Sequence, residues 1–253
     1  KVQFLLTLPH GKHNDGFDVY AIYPRINGQP LVLGKLTFMS YSVKKPKVVL
    51  VPVNGNDLDA AKVKEELDKV YHPVAIDWQV SIDKSNFGAS ADSLEVTGSG
   101  LFSQYTPGMK KLNNDFIKHI GSSYDPTVLY LFLLQHSGDH NTTGDMPRGK
   151  QFGYLFTKTA LEGREEAIYR TIAHELAHGT FHLKHTFDSQ YQIAEASTDN
   201  LMDYTAGTDL VKPQWDAIHD PGLVIGMFER DEEGAMMVID CGSINKPDNI
   251  KAL

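Results

Sequence analysis

Residues His174-Glu175-Leu176-Ala177-His178 place two imidazoles four positions apart, with a carboxylate directly after the first. On a helix of 3.6 residues per turn, positions i and i+4 lie one above the other on one face. Both rings can then reach one Zn²⁺ at about 2.0–2.1 Å, the usual zinc–nitrogen distance. Glu175 lies about 100° round the same helix, off the ligand face but within reach of a water at the metal. A carboxylate so placed can take a proton from a water whose pKa the metal lowers to about 7. The chemistry these residues suit is metal-assisted hydrolysis, with Glu175 as general base.

A catalytic zinc site takes three protein ligands and keeps one open position. The segment Gly179-Thr180-Phe181-His182-Leu183-Lys184-His185-Thr186-Phe187-Asp188 offers the third donor. Gly179 is expected to end the helix with a positive φ, so that the chain turns back and brings His185 to the metal. His182, four residues after His178, competes only if the helix continues past Gly179. Asp188 is a further candidate. Glu195, followed four residues later by Asp199, is another, in an arrangement similar to that of the thermolysin-like gluzincins.

Downstream lies Asn200-Leu201-Met202-Asp203-Tyr204. With His185-Thr186-Phe187 and Met202-Asp203-Tyr204, the chain resembles the metzincin zinc metallopeptidases, and among them the pappalysin-like branch. It is also similar to zincin-type domains of bacterial polymorphic toxins and secretion-system effectors. The metzincin pattern reads His-Glu-x-x-His-x-x-Gly-x-x-His. Here the spacer from His178 to His185 is one residue longer, and Phe181 stands at the glycine position, so the turn must be built differently. The resemblance implies that Met202 forms an apolar floor under the imidazoles. It places Tyr204 where a phenol can touch the zinc or a developing oxyanion. It also implies that Gly153, Tyr154 and Leu155 lie on an edge strand above the cleft, where an extended peptide substrate can pair. Such a protein is expected to be secreted or delivered outside the producing cell. The alternatives to a peptidase are a non-catalytic binding module with a structural zinc and a zinc amidase acting on a non-protein substrate such as peptidoglycan.

These residues need elements to hold them. Glu162–His178 reads as a helix, with Ile168, Ile172 and Leu176 recurring every four positions as a core-facing stripe. Val48–Val53 and Val128–Leu134 are short continuous apolar runs, typical of strands buried on both faces. Helical spacing over Asp57–Tyr71 and Leu112–Ile120, and strand patterns at Val74–Ile82 and Gln151–Thr157, alternate with them. The expected fold is therefore α/β, zincin-like. It has a twisted, mostly parallel sheet with an antiparallel edge strand, an active-site helix and a smaller C-terminal subdomain. Pro213–His219 reads as a helix. Leu223–Phe228 and Ala235–Ile239 read as a hairpin. Residues 1–45 read as a β-rich unit, with strands at Val2–Leu8, Phe17–Tyr23 and Leu31–Ser40 and a hairpin signal at Asn27-Gly28. A boundary near Lys44-Lys45-Pro46-Lys47 assigns 46–253 to the metallopeptidase domain.

Composition bounds the partners. The 253 residues are 41% hydrophobic and 22% charged, as in ordinary globular chains. The net charge of −8 argues against nucleic acid as a partner, which demands a basic face. No run of apolar residues is long enough for membrane insertion. The single cysteine, Cys241, forms no internal disulfide and reads as a small apolar residue.

Overall fold

The computed structural model describes residues 16–23, 31–90, 93–96, 104–158, 165–189, 191 and 193–219. The two apolar runs become strands β3 (Lys47–Pro52) and β6 (Leu129–Leu134). They pair in parallel at the centre of a five-stranded sheet. In chain order the described elements are β1 (Gly16–Tyr23), β2 (Leu31–Met39), β3, α1 (Ala60–Tyr71), β4 (Gln79–Ile82), β5 (Ser93–Leu94), α2 (Pro107–Ile120), β6, β7 (His136–Ser137), β8 (Gly144–Asp145), β9 (Phe152–Phe156), α3 (Glu165–Phe181) and α4 (Lys212–His219). The main sheet runs β4-β3-β6-β9-β8. Its first four strands are parallel, and β8 is antiparallel to β9. The expected class, a mixed α/β fold with a mostly parallel sheet and four described helices, is what the chain adopts.

Alternation along each strand divides the core in two. Val48, Leu50, Leu131, Leu133 and Leu155 face one side and pack with α1, α3 and α4 through Leu67, Ile168, Ile172, Leu176 and Ile218. Tyr130, Phe132, Phe152, Tyr154 and Phe156 face the other and pack on α2 through Met109, Leu112 and Phe116. Burial on both faces is why these strands read as unbroken apolar runs.

Several boundaries differ from expectation for local reasons. Helix α1 begins only after Asp59, whose carboxylate accepts the Ala61 N–H at 2.9 Å as its N-cap. Helix α2 begins five residues before the expected Leu112, because Thr106 caps it and Pro107 fits its first position. Of the expected Val74–Ile82 strand, Gln79–Ile82 form the strand and Ile76 makes only an isolated bridge to Lys44. His72–Val74 form a 3₁₀ turn containing Pro73, and Ala75 follows with φ +58°. The expected edge strand is corrected outright. β9, carrying Gly153, Tyr154 and Leu155, lies inside the sheet and is fully buried, and the outermost strand is β8.

β1 and β2 pair antiparallel as a separate two-stranded sheet on either side of Asn27-Gly28. That turn, the Val2–Leu8 strand, the Leu223–Phe228 and Ala235–Ile239 hairpin and Cys241 lie outside the described residues. Among the described residues no helix is long and apolar enough to cross a membrane.

Helix α1 is tied to α3 by a buried bond, Tyr71 Oη donating to the Ala173 carbonyl at 2.6 Å, one residue before His174. Tyr71→Phe should lower stability by about 1 kcal/mol. In scanning calorimetry that is a drop in Tm of roughly 2–4 °C. An unchanged Tm would show that this bond contributes nothing.

Candidate metal centre

Helix α3 buries Ile168, Ile172, Ala173, Leu176 and Ala177 against the sheet and α1. This orientation also draws in three polar side chains. His174, Glu175 and His178 are only 6%, 7% and 9% exposed. A buried polar group must find a partner, and each does. His174 Nδ1 donates to the Leu201 carbonyl at 2.8 Å, and His178 Nδ1 donates to the Leu183 carbonyl at 2.6 Å. A carbonyl oxygen can only accept, so both rings must carry a proton on Nδ1. Burial keeps them from taking a second proton: it pushes His174 down to about 3 and holds His178 well below the usual histidine range. His185 is pushed down to about 4, again chiefly by burial.

His174 and His178 therefore turn bare Nε2 lone pairs toward each other, 3.1 Å apart. His185 Nε2 closes the triangle at 3.1 Å from His178 and 3.2 Å from His174. Facing lone pairs repel unless a cation stands among them. Tetrahedral zinc at about 2.0–2.1 Å holds its nitrogens about 3.3 Å apart, close to this triangle. Three histidine nitrogens are also the number of protein ligands a catalytic zinc takes. The donor set therefore suits a zinc ion.

Helix α3 does not end at Gly179 as expected. It runs to Phe181, and His182 takes the left-handed turn with φ +57°. The His182 N–H donates to the His178 carbonyl and the Leu183 N–H to the Ala177 carbonyl, both at 3.2 Å. The His182 ring lies against Gly149, where a Cβ would come within 2.5 Å of it. Thus His182 faces away from the triad. Gly179 instead makes room for Met146, whose Sδ a Cβ there would meet at 2.4 Å. The chain returns with His185 toward the triad, and the Thr186 N–H donates to the Met202 carbonyl at 3.1 Å. Asp188 and Glu195 do not join the three histidines.

The loop after His185 is held by two residues that sequence reasoning did not single out for this purpose. Arg170, one turn before His174, donates to the carbonyls of Gly207 (2.7 Å), Asp203 (2.8 Å) and Leu201 (2.9 Å). Asp203 is fully buried and accepts the backbone N–H groups of Ala196, Ser197, Thr198 and Tyr204, plus the Thr198 hydroxyl. Burial alone would raise its pKa, but these donors hold it well below the usual carboxylate range. Met202 is fully buried in the same core cluster as Ala173 and Ala177. Tyr204 is 49% exposed, and its ring centre is 5.0 Å from that of His185 and 6.2 Å from that of His174. The structure thus brings together His174, Glu175, His178, His185 and Tyr204, with Met202 in the core beside them. Gly153, Tyr154 and Leu155 stay inside the sheet.

The edge of that sheet meets Glu175. A Cβ on Gly144 would lie 2.7 Å from Glu175 Cγ and 2.9 Å from Thr171 Cγ2, so β8 can approach only as glycine. Glu175 accepts the Met146 backbone N–H. Burial, then the neighbouring Asp145 carboxylate, raises its pKa well above the ordinary range. Asp145 itself is pushed up to about 7 by burial. A second cluster, Asp68, His72 and Asp77, is already answered by a protein cation: Lys64 Nζ donates to Asp68 Oδ2 at 2.6 Å and to Asp77 Oδ1 at 3.3 Å.

No family model matches this chain, and no curated protein matches it.

Two outcomes follow from this geometry. In the metal-free protein, Glu175 favours its proton in the fold, so it supports stability below its unfolded pKa near 4.5 and costs stability as pH rises above it. Glu175→Gln should therefore raise Tm at pH 8 and leave it unchanged at pH 4; the reverse trend would contradict the burial argument. Gly207→Ala would set a Cβ 2.1 Å from the Asp199 backbone. It should cost about 1–3 kcal/mol in denaturant unfolding, as overpacking typically does.

Proposed function

We propose that this chain is a zinc-dependent endopeptidase of metzincin-like, pappalysin-like type. The observation that carries the reading is the triangle of Nε2 atoms, 3.1–3.2 Å on a side, beside one buried carboxylate. His174, His178 and His185 would hold the ion. A zinc ion bound there supplies a Lewis acid that acidifies water and polarises a carbonyl. A closed structural site has no use for a buried carboxylate next to its ligands, and this favours catalysis over a non-catalytic binding module.

The chain's own groups divide the remaining work. Glu175 takes a proton from the attacking water and hands it to the departing amine nitrogen. Glu175 must be ionised to take that proton, and a zinc ion held by the neighbouring histidines would favour the ionised form. The Met146 N–H fixes where the carboxylate sits. Tyr204 stands half-exposed at the mouth, where its hydroxyl can donate to charge developing on the substrate oxygen. The outer edge of β8, in place of β9, is the strand beside which an extended protein or peptide substrate would pair. The antiparallel edge strand, the loop carrying Met202 beside the histidine helix and the Thr186–Met202 link support the metzincin-like assignment.

Glu175→Ala should keep one zinc per chain by elemental analysis yet lose about 10²–10⁴-fold in the rate of casein cleavage, the range general bases contribute. His178→Ala should lose the zinc itself. Cleavage at the wild-type rate by Glu175→Ala would overturn the mechanism.

A further inference from the structure

Two of the three imidazoles are oriented by backbone carbonyls that accept from their Nδ1 atoms. The third is held in another way. Among the described residues no hydrogen-bond partner meets His185 Nδ1, and the Asp188 carboxylate acts on the ring through its charge, not through a hydrogen bond. Beyond the other two imidazoles, what touches the His185 ring is aromatic. Phe187 stacks on it with ring centres 4.7 Å apart and planes only 8° from parallel. Tyr204 meets both, its ring centre 5.0 Å from that of His185 and 4.8 Å from that of Phe187. The backbone keeps these rings together. Thr186, between the two stacked residues, is buried, and its N–H donates to the Met202 carbonyl at 3.1 Å. The Asp188 N–H donates to the His185 carbonyl at 3.1 Å and closes a turn. Phe187 is thus presented to His185 by a turn closed on itself and fastened to the loop that carries Met202.

A histidine ring turns about a broad χ2 torsion, so a ligand with no bond at Nδ1 needs some other hold. A face-to-face stack supplies one, because turning the ring would break it. The stack also responds to charge. A neutral imidazole on a phenyl face gains mainly dispersion and apolar burial. An imidazole whose Nε2 binds a divalent cation is drawn electron-poor, and the negative face of the phenyl ring attracts it, as in a cation–π contact. A contact that is stronger in the metal-bound state raises metal affinity. One that is equally strong in both states raises stability alone.

We propose that Phe187 is a positioning residue for the metal centre: its ring stack holds the His185 imidazole in the ligating orientation and favours the metal-bound form of that ring. This rests on the zinc-peptidase reading. Phe187 does for the third imidazole what the Leu201 and Leu183 carbonyls do for the first two, with a π face in place of a hydrogen-bond acceptor.

The test titrates the whole metal-free chain with zinc against a chromophoric chelator. Phe187→Leu should weaken zinc about tenfold, the lower end of what residues that orient a ligand contribute. Phe187→Tyr, which keeps the ring face, should bind zinc as tightly as the wild type. Phe187→pentafluorophenylalanine keeps the ring shape but reverses its quadrupole. It should weaken zinc as Phe187→Leu does while leaving the Tm of the metal-free chain unchanged. With cobalt(II) in place of zinc, the visible bands should move in Phe187→Leu and stay in place in Phe187→Tyr. Wild-type zinc affinity in Phe187→Leu or in the pentafluorophenylalanine protein makes Phe187 a packing residue alone and overturns the proposal. A wild-type chain that takes up no zinc overturns the zinc reading itself, and this inference falls with it.

Discussion

Two backbone carbonyls, those of Leu201 and Leu183, determine what the candidate site can be. Each accepts a hydrogen from an imidazole Nδ1 and so fixes both the tautomer and the orientation of its ring. Without them, His174 and His178 would be two buried histidines free to bond each other, Nε2 donor to Nε2 acceptor. With them, each ring has its lone pair aimed at the same point, and neither ring can donate to the other. The burial that makes both rings neutral also removes the water that could otherwise solvate those lone pairs. A divalent ion bound there would turn this cost into binding energy, because metal ligation needs the unprotonated nitrogen.

Both carbonyls lie outside the helix, so the site depends on how the chain after α3 is held. Leu183 is fixed at once by the left-handed turn at His182 and by its own burial. Leu201 sits in a long loop with little regular structure. Such a loop keeps one shape only if its polar backbone groups are satisfied. Arg170 and Asp203 do this from opposite ends, one gathering carbonyls and the other gathering N–H groups, while Gln214 of α4 exchanges side-chain bonds with Asn200. Arg170 belongs to the same helix as the histidines. One rigid element therefore positions two of the three histidines directly and, through its guanidinium, the carbonyl that orients the first of them.

How much of this was legible depends on whether a signal is local. The spacing of His174 and His178, the stripe Ile168-Ile172-Leu176 and the apolar runs of β3 and β6 are properties of a few consecutive residues, and the structure follows them. His185 could be preferred among several donors from the sequence, though for a reason that did not hold: Gly179 does not end the helix but admits Met146. The edge of the sheet was misplaced because β8 is two residues long and carries no pattern of its own. Its identity depends on Gly144 touching Glu175 and Thr171 from a distant segment. Arg170 gave no signal either, since an arginine on a helix looks like a solvated charge until its partners are known.

The spacer between the second and third histidines shows why residue counts can mislead where geometry does not. A metal fixes the positions of three nitrogens and is indifferent to the number of residues between them. Here α3 continues to Phe181 before the chain reverses. The left-handed conformation then falls on His182, a residue type for which it is tolerable though still costly. That cost is offset by the two hydrogen bonds closing the turn, which satisfy carbonyls left open at the helix end. It is also offset by the fit of the His182 ring against Gly149, a glycine with φ +68° in the turn that follows Met146. The turn after α3 is thus supported by the contact between the His182 ring and Gly149. With the turn so held, the His185 Nε2 arrives within 3.1–3.2 Å of the other two.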